Sequence, residues 1–340
     1  MSKRILGIDF GTCVLKIYKK GEGVIVDEKT VIAIANKNNV ISAGDEAFEM
    51  LEKAPANIQV SYPMKNGVVA DIVKMQYLVN YFLKKALHAK GHFSSADFLV
   101  AVPTDLTEVE KRAFYDLISH SDGKAKRITL IEKPLAAALG IGLDVTNAQG
   151  CMTVDIGAET TEISIMSLGG IVISKIIPIG GRHLDFAIQS AVKKECNILI
   201  GDKTAERLKK ELGSAVCPEE EVVMKVYGRD VMSGLPREAS VPAKLVYLAM
   251  EEQIHSIIDA VRVILERTPP EISSDIIDTG IYITGGSAKI KNLGQLVSQE
   301  TDLKVNIADD CENSVVNGLG AVIENDKLLK KLSSGLKLQA

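Results

Sequence analysis

An internal echo restricts the fold of this chain more than any other feature. Ile5-Leu6-Gly7-Ile8-Asp9-Phe10-Gly11-Thr12 is an apolar strand that ends in Asp-x-Gly with a hydroxyl residue just after it, and Met152-Thr153-Val154-Asp155-Ile156-Gly157 repeats the pattern. A chain that makes the same strand end twice reads as duplicated. Its 340 residues agree, because a single core usually stops growing at about 250–300 residues. Glycine directly after a strand lets the backbone turn tightly and aim N–H groups inward, which makes a concavity suited to phosphate. The aspartate beside it can hold Mg²⁺ through water, since that ion prefers carboxylates plus phosphate oxygens and keeps part of its hydration shell. One such turn says little, because Asp and Gly are routine turn formers. Two facing each other could grip a triphosphate. A third glycine turn, Thr284-Gly285-Gly286-Ser287, follows the apolar run Ile281-Tyr282-Ile283.

Around these turns, strand-like runs alternate with helix-period segments, which predicts α/β architecture. Met75, Leu78, Val79, Phe82, Leu83, Ala86 and Leu87 share one helical face, and Phe98 to Pro103 reads as a buried strand. Thr107 with Glu110 fits a capping box for a helix through Ile118. Ile128 to Ile131 is the next strand, and Pro134 opens an Ala-rich helix. Further on, Leu184, Ile188, Ala191 and Val192 mark a helix, Asp202 is placed to cap another that ends at Gly213, and a long stripe from Val246 to Leu265 stops at Thr268-Pro269-Pro270.

Composition excludes several classes. With 46% hydrophobic and 25% charged residues the chain is no disordered tail, and a net charge of −4 supplies no basic field for nucleic acid. Five scattered cysteines without a Cys-x-x-Cys pair argue against a disulfide framework or zinc site and for reduced thiols in the cytosol. The N-terminus leads straight into a strand, so no leader is expected, and no apolar run is long enough to span a bilayer. His88 and His92 lack a third ligand and read as surface histidines.

The turns belong to a wider set of stretches: Gly7 to Thr12, Tyr62 to Asp71, Leu130 to Ala138, Val154 to Gly157, Thr160-Thr161-Glu162, Thr204 to Arg207, Ser233 to Arg237, and Thr268 to Glu271. Through them the chain resembles the bacterial actin-like MreB family over essentially its whole length. The resemblance implies an actin-like duplicated RNase H-like α/β fold with two lobes and a nucleotide cleft. It implies a first lobe of residues 1–34, 67–148 and 316–340 with a small subdomain at 35–66. The second lobe is 149–182 and 248–315, with a small subdomain at 183–247. It further implies ATP and Mg²⁺ as cofactors and self-assembly into double protofilaments. The setting it implies is the inner face of the cytoplasmic membrane, in contact with the cell-wall elongation machinery that sets rod shape. Carried over by position, Asp9, Gly11, Thr12, Cys13 and Val14 form the first phosphate loop and Asp155, Gly157, Ala158, Glu159 and Thr160 the second. Glu206, Arg207, Leu208 and Lys209 approach the ribose and base, Gly285, Gly286 and Ser287 lie beneath adenine, and Asp9 and Asp155 hold Mg²⁺ through water.

Several residues depart from the family pattern. Val14 stands where a polar side chain is usual, and Lys16 is either a compensating point charge for phosphate or a solvated lysine on a strand. Ala158 and Glu159 replace two glycines, which would cost on the order of 1 kcal/mol each wherever the backbone keeps positive φ. Glu159 is then expected either in the Mg²⁺ shell or turned to solvent. Ser287 and Ala288 occupy the adenine loop where a glycine and a serine are usual. Lys133 stands where the family has the glutamate that orients the attacking water, and an ammonium with a reference pKa of about 10.4 is a poor general base at neutral pH. Thr160 survives as the second hydrolysis residue, with Glu132 as a substitute carboxylate, so hydrolysis is expected to be slow. Phe93, with Lys3, Arg4 and Lys90, is the sequence's only candidate for membrane contact. A noncatalytic actin-like scaffold and an adaptor resembling FtsA or PilM remain open alternatives, the second suggested by Lys16; a sugar kinase would need further insertions, and a chaperone a peptide-binding domain.

Overall fold

The computed structural model describes residues 4–36, 39–87 and 95–333. Two compact units divide the chain. The first comprises the residues up to Ala148, Met166–Ser174 and those from Glu312; the second comprises Gln149–Ile165 and Lys175–Cys311.

The first unit is built on five strands: β1 (Ile5–Phe10), β2 (Val14–Lys19), β3 (Gly23–Lys29), β4 (Ala96–Val102) and β5 (Ala125–Glu132). Their spatial order is β5-β4-β1-β2-β3. β1 pairs antiparallel with β2 and parallel with β4, and all six of its residues are buried, as a continuous apolar run at a sheet centre requires. Helix α1 (Ile72–Leu87) lays Met75, Leu78, Val79, Phe82 and Leu83 into the same core as Leu6, Ile8, Phe10, Leu15 and Ile17. Helix α2 (Glu108–Ser119) adds Phe114, whose ring centroid lies 5.8 Å from that of Phe10. The expected capping box closes this helix: Glu110 N–H donates to Thr107 Oγ1 at 3.3 Å, and Thr107 N–H donates to Glu110 Oε2 at 2.8 Å. Helix α3 (Lys133–Gly140) follows β5 without a gap, its entry fixed by Pro134. A small sheet, ordered Asn39–Ala43, Ile32–Ala35, Ile58–Ser61, completes this unit.

A second large sheet repeats the plan. It holds β6 (Cys151–Ile156), β7 (Thr161–Ser167), β8 (Gly170–Ile177), β9 (Ile281–Thr284) and β10 (Val305–Ile307) in the order β8-β7-β6-β9-β10. β6 runs parallel to β9, and β9 to β10. Both large sheets therefore have the order 3-2-1-4-5, with an Asp-x-Gly turn leaving the central strand of each. That shared order is the duplication read from the sequence. Helix α4 (Gly181–Cys196), helix α5 (Asp202–Leu212) and helix α6 (Ala243–Glu266) belong to the second unit. α6 buries Val246, Met250, Ile254, Ile257, Ile258, Val261 and Ile264 and ends just before Thr268-Pro269-Pro270. One local expectation fails. Asp202 is the first residue of α5, whose cap is Gly201 with no side-chain bond, and Asp202 accepts a hydrogen bond from Gln189 Nε2 at 2.8 Å instead. Among the described residues no helix is long and apolar enough to cross a membrane.

Candidate functional site

The first turn, residues 11–13, joins β1 to β2. Glycine is obligatory at its start, because a Cβ on Gly11 would lie 2.3 Å from the Val14 carbonyl oxygen. Thr12 is buried and its Oγ1 accepts from Gly67 N–H at 3.1 Å. Thr30 steadies the turn through its hydroxyl on Gly11 O at 2.7 Å and its N–H on Cys13 O at 2.8 Å. Lys29 Nζ lies 3.7 Å from Cys13 Sγ. Val14 is already the first residue of β2.

Asp9 and Lys16 are direct cross-strand partners, and both are nearly fully buried. Lys16 is no solvated strand lysine: its Nζ donates to Glu312 O at 2.5 Å and to Asn313 Oδ1 at 2.6 Å, both neutral oxygens. Its charge therefore reaches the turn unneutralised by these partners. Asp9 faces a second lysine. Lys133 Nζ sits 3.0 Å from Asp9 Oδ1 and donates to Phe10 O at 3.1 Å, with only 13% and 12% of the two charged side chains exposed. Oδ1 accepts no hydrogen bond of good geometry, so the ammonium's charge is what compensates it. An Asp9 so engaged does not fit a place in a Mg²⁺ shell. Next to Lys133, Glu132 is half-buried, and burial pushes its carboxyl above the ordinary carboxylate range against a small opposing pull from Lys111.

The second turn, residues 157–160, joins β6 to β7 and is closed by Gly157 N–H on Thr160 O at 2.9 Å. Ala158 and Glu159 are not among the residues with positive φ, so the strain expected of them is absent: this turn keeps its shape without left-handed backbone. Glu159 does not turn out to solvent. Its Oε1 meets Arg182 Nη1 at 2.6 Å, while Arg182 N–H donates to Ala158 O at 2.7 Å and Gly181 N–H to Gly157 O at 3.0 Å. The N-terminus of α4 is thus laced to the turn. This approach needs glycine, since a Cβ on Gly180 would lie 2.7 Å from Glu159 N, and one on Gly181 2.7 Å from Ser287 Oγ.

The third turn comes to the same place. Gly285 has φ +85°, and a Cβ there would lie 2.4 Å from Ile156 O. Thr284 Oγ1 donates to Asp155 Oδ1 at 3.1 Å, and Ser287 Oγ to Gly157 O at 3.2 Å. Ser287 and Ala288 are buried, the serine hydroxyl being spent on the second turn. Gly286 opens the short 3₁₀ turn Gly286–Lys289.

α5 contributes Lys209, whose Nζ donates to Gly181 O and lies 2.8 Å from Asp185. Burial raises the Asp185 carboxyl more than Lys209 lowers it. Glu206 pairs with Lys210 at 2.7 Å, and Arg207 is exposed. Leu208 is fully buried, so its side chain belongs to the core, a correction to its place among the ligand residues.

The second unit thus brings Asp155, Gly157, Ala158, Glu159, Lys209, Gly285 and Ser287 into one bonded cluster, and the first brings Asp9, Lys16 and Lys133 together. Gly180, Gly181, Arg182, Asp185 and Thr284 were missed from sequence. Gly180-Gly181, following the β8 run, was the available signal. Phe93, Lys3, Lys90, His88 and His92 lie outside the described residues.

A family model described as MreB/Mbl protein matches residues 3–331. The chain is 38% identical to the cell shape-determining protein Mbl of Bacillus subtilis (strain 168) over 333 residues, which is 97% of this chain and 99% of that protein. It is 39% identical to the cell shape-determining protein MreB of Escherichia coli (strain K12), covering 94% of this chain and 93% of that one. Among solved structures, MreB 5 of Spiroplasma citri bound to AMPPNP superposes with a TM-score of 0.91 at 34% identity, covering 99% of this chain and all of that one. The MamK double helical filament, at 21% identity and a TM-score of 0.79 over 95% of this chain and 99% of its own, shares the fold.

Proposed function

The chain belongs to the MreB/Mbl family of cell shape-determining, actin-like proteins, and on that premise we propose that it binds ATP and assembles with copies of itself into filaments that help set cell shape. The observation that carries the nucleotide reading is the pair of glycine turns leaving equivalent central strands of two sheets with the same 3-2-1-4-5 order. A side chain at Gly11 would meet the Val14 carbonyl oxygen at 2.3 Å and one at Gly157 the Thr160 carbonyl oxygen at 3.1 Å, so the first turn excludes a side chain and the second crowds one, the form of backbone that receives phosphate. The N-terminus of α4, laced to the second turn, adds a partial positive charge suited to an anion. MreB 5 of Spiroplasma citri, similar over almost the whole chain, has been solved with AMPPNP and with ADP.

In this reading Gly11 to Val14, with the positive charge of Lys16 behind them, and Gly157 to Thr160 receive the phosphates. Glu206, Arg207, Lys209, the backbone at Leu208 and the Gly285–Ser287 turn surround the ribose and base. Asp155, whose Oδ1 accepts from the Thr284 hydroxyl, faces a hydrated Mg²⁺ whenever the nucleotide arrives with one. Hydrolysis is slow: Lys133 supplies no base, and Thr160 and Glu132 are what remain to orient water. Filaments run at the inner face of the cytoplasmic membrane, where their partners are the cell-wall elongation machinery. Nucleic acid is no partner.

High-speed pelleting with and without Mg-ATP, read by negative-stain microscopy, tests this. Filaments only with ATP are expected. Filaments regardless of nucleotide would replace the reading by a noncatalytic scaffold, which the Lys133–Asp9 pair favours. No filaments in either condition would overturn self-assembly and leave an adaptor.

A further inference from the structure

The ion pair at the end of β1 has a consequence beyond slow hydrolysis. A strand-end aspartate beside a phosphate turn is a negative charge where a triphosphate must come, and a divalent cation ordinarily cancels it. Here that charge is already cancelled. Lys133 Nζ lies 3.0 Å from Asp9 Oδ1, is fixed a second time by Phe10 O, and is nearly buried with it, so salt and water screen the pair little. Across the strand pair, Lys16 bonds two neutral oxygens and brings a further positive charge. With Asp9 matched by Lys133, the charges of Lys16 and of Lys29, which reaches Cys13, leave the first turn positive without metal.

Geometry separates this from an incidental surface pair. Lys133 is the residue directly after β5, held by the strand on one side and by α3 with Pro134 on the other, and β5 stands two places from β1 in the sheet. Its backbone is therefore rigid relative to Asp9. An ammonium also has an advantage over a hydrated Mg²⁺: it donates to the Phe10 carbonyl and stands in direct ionic contact with the carboxylate, with no water shell to accommodate.

We propose that Lys133 takes the place of a divalent cation at Asp9, so that this chain binds nucleoside triphosphate without Mg²⁺. The proposal rests on the nucleotide-binding reading and adds to it how the first turn tolerates phosphate. Lys133 acts here as a positioning and charge-compensating residue.

A fluorescent ATP analogue titrated into the purified full chain, once with excess Mg²⁺ and once in EDTA, provides the test. The wild type is expected to bind within about threefold of the same affinity in both. Lys133→Gln exposes the Asp9 charge and is expected to lose about tenfold or more in EDTA while recovering in Mg²⁺, a tenfold change being what one exposed charge at this range produces. Asp9→Asn/Lys133→Gln removes both charges and is expected to bind in EDTA like the wild type. This double variant also decides the matter if Lys133→Gln alone does not fold, because it leaves no uncompensated charge: binding in EDTA within about threefold of wild type supports the proposal, and a tenfold loss overturns it. A wild type that loses tenfold or more in EDTA overturns the proposal and leaves nucleotide binding standing, as does a folded Lys133→Gln indistinguishable from wild type in EDTA. Absence of saturable binding in every condition overturns nucleotide binding itself, and the proposal with it.

Discussion

The turn after β1 and the turn after β6 occupy the same place in two sheets of the same strand order, yet they balance their charges differently. At the first, the strand-end carboxylate Asp9 is matched by the cation of Lys133, brought from the end of another strand. At the second, Asp155 receives a hydroxyl from Thr284, and the ion pair has moved into the turn itself, between Glu159 and Arg182. Duplicated topology reproduces backbone position but leaves each copy to settle its electrostatics with whatever side chains its own neighbours provide. At the first turn a cation from another strand answers the strand-end carboxylate; at the second a neutral hydroxyl does.

The sharpest way to break the comparison is to remove the close approach of the third turn, which supports the second turn and has no counterpart at the first. Gly285→Ala places a methyl group 2.4 Å from Ile156 O at a φ of +85° and should destabilise the second unit by about 3 kcal/mol, or prevent folding, as read by urea denaturation. A loss under about 1 kcal/mol would show that the third turn is adjustable.

Charge separates the turns next. Lys133→Met strands the Asp9 carboxylate in a nearly buried site and should cost about 3 kcal/mol, with most of it regained in Asp9→Asn/Lys133→Met. Arg182→Ala, at the second turn, removes a cation that is 20% exposed against 13% for Lys133 and opens a path for water to Glu159, so it should cost less, about 1–2 kcal/mol. If Arg182→Ala proved the more damaging, the contrast drawn between the turns would be reversed.

Hydrolysis sharpens the comparison from another side. Lys133→Glu restores a carboxylate where a water-orienting group is needed and should raise phosphate release about tenfold or more over a near-background wild type, even at some expense of stability. A brisk wild-type rate in the same assay would remove the idea of a disabled first unit.

The smallest expected effect depends on pH. Burial raises the folded-state carboxyl of Glu132 above its unfolded value, so the stability it contributes is complete below the unfolded value near pH 4 and is lost as pH rises through the folded one. Glu132→Gln should therefore match the wild type near pH 4 and melt on the order of 2 °C higher at pH 7. Equal melting temperatures at both pH values would mean that Glu132 is well solvated.

Particular residues show how far the chain could be read without its structure. Thr107 with Glu110, the stripe ending at Thr268-Pro269-Pro270 and the two apolar runs into Asp-x-Gly all appear in the structure where local spacing puts them. The charge partners behave otherwise. Lys16 divides evenly by sequence between phosphate ligand and solvated lysine, and the structure ties it to Glu312 and Asn313, 296 and 297 residues away. Glu159, expected at a metal or in solvent, meets Arg182 across the Gly180-Gly181 approach.

What the sequence by itself determined is the α/β alternation, the duplication and the location of the turns, because these depend on hydropathy period and on which residues allow a turn, properties carried by a few consecutive positions. Only the tertiary structure decided that Lys133 neutralises Asp9, that Ala158 and Glu159 sit without strain, and that Leu208 faces the core. Each of those depends on which distant strand or helix end lies within a few ångströms, and Coulombic and steric energies respond to that distance and not to separation along the chain.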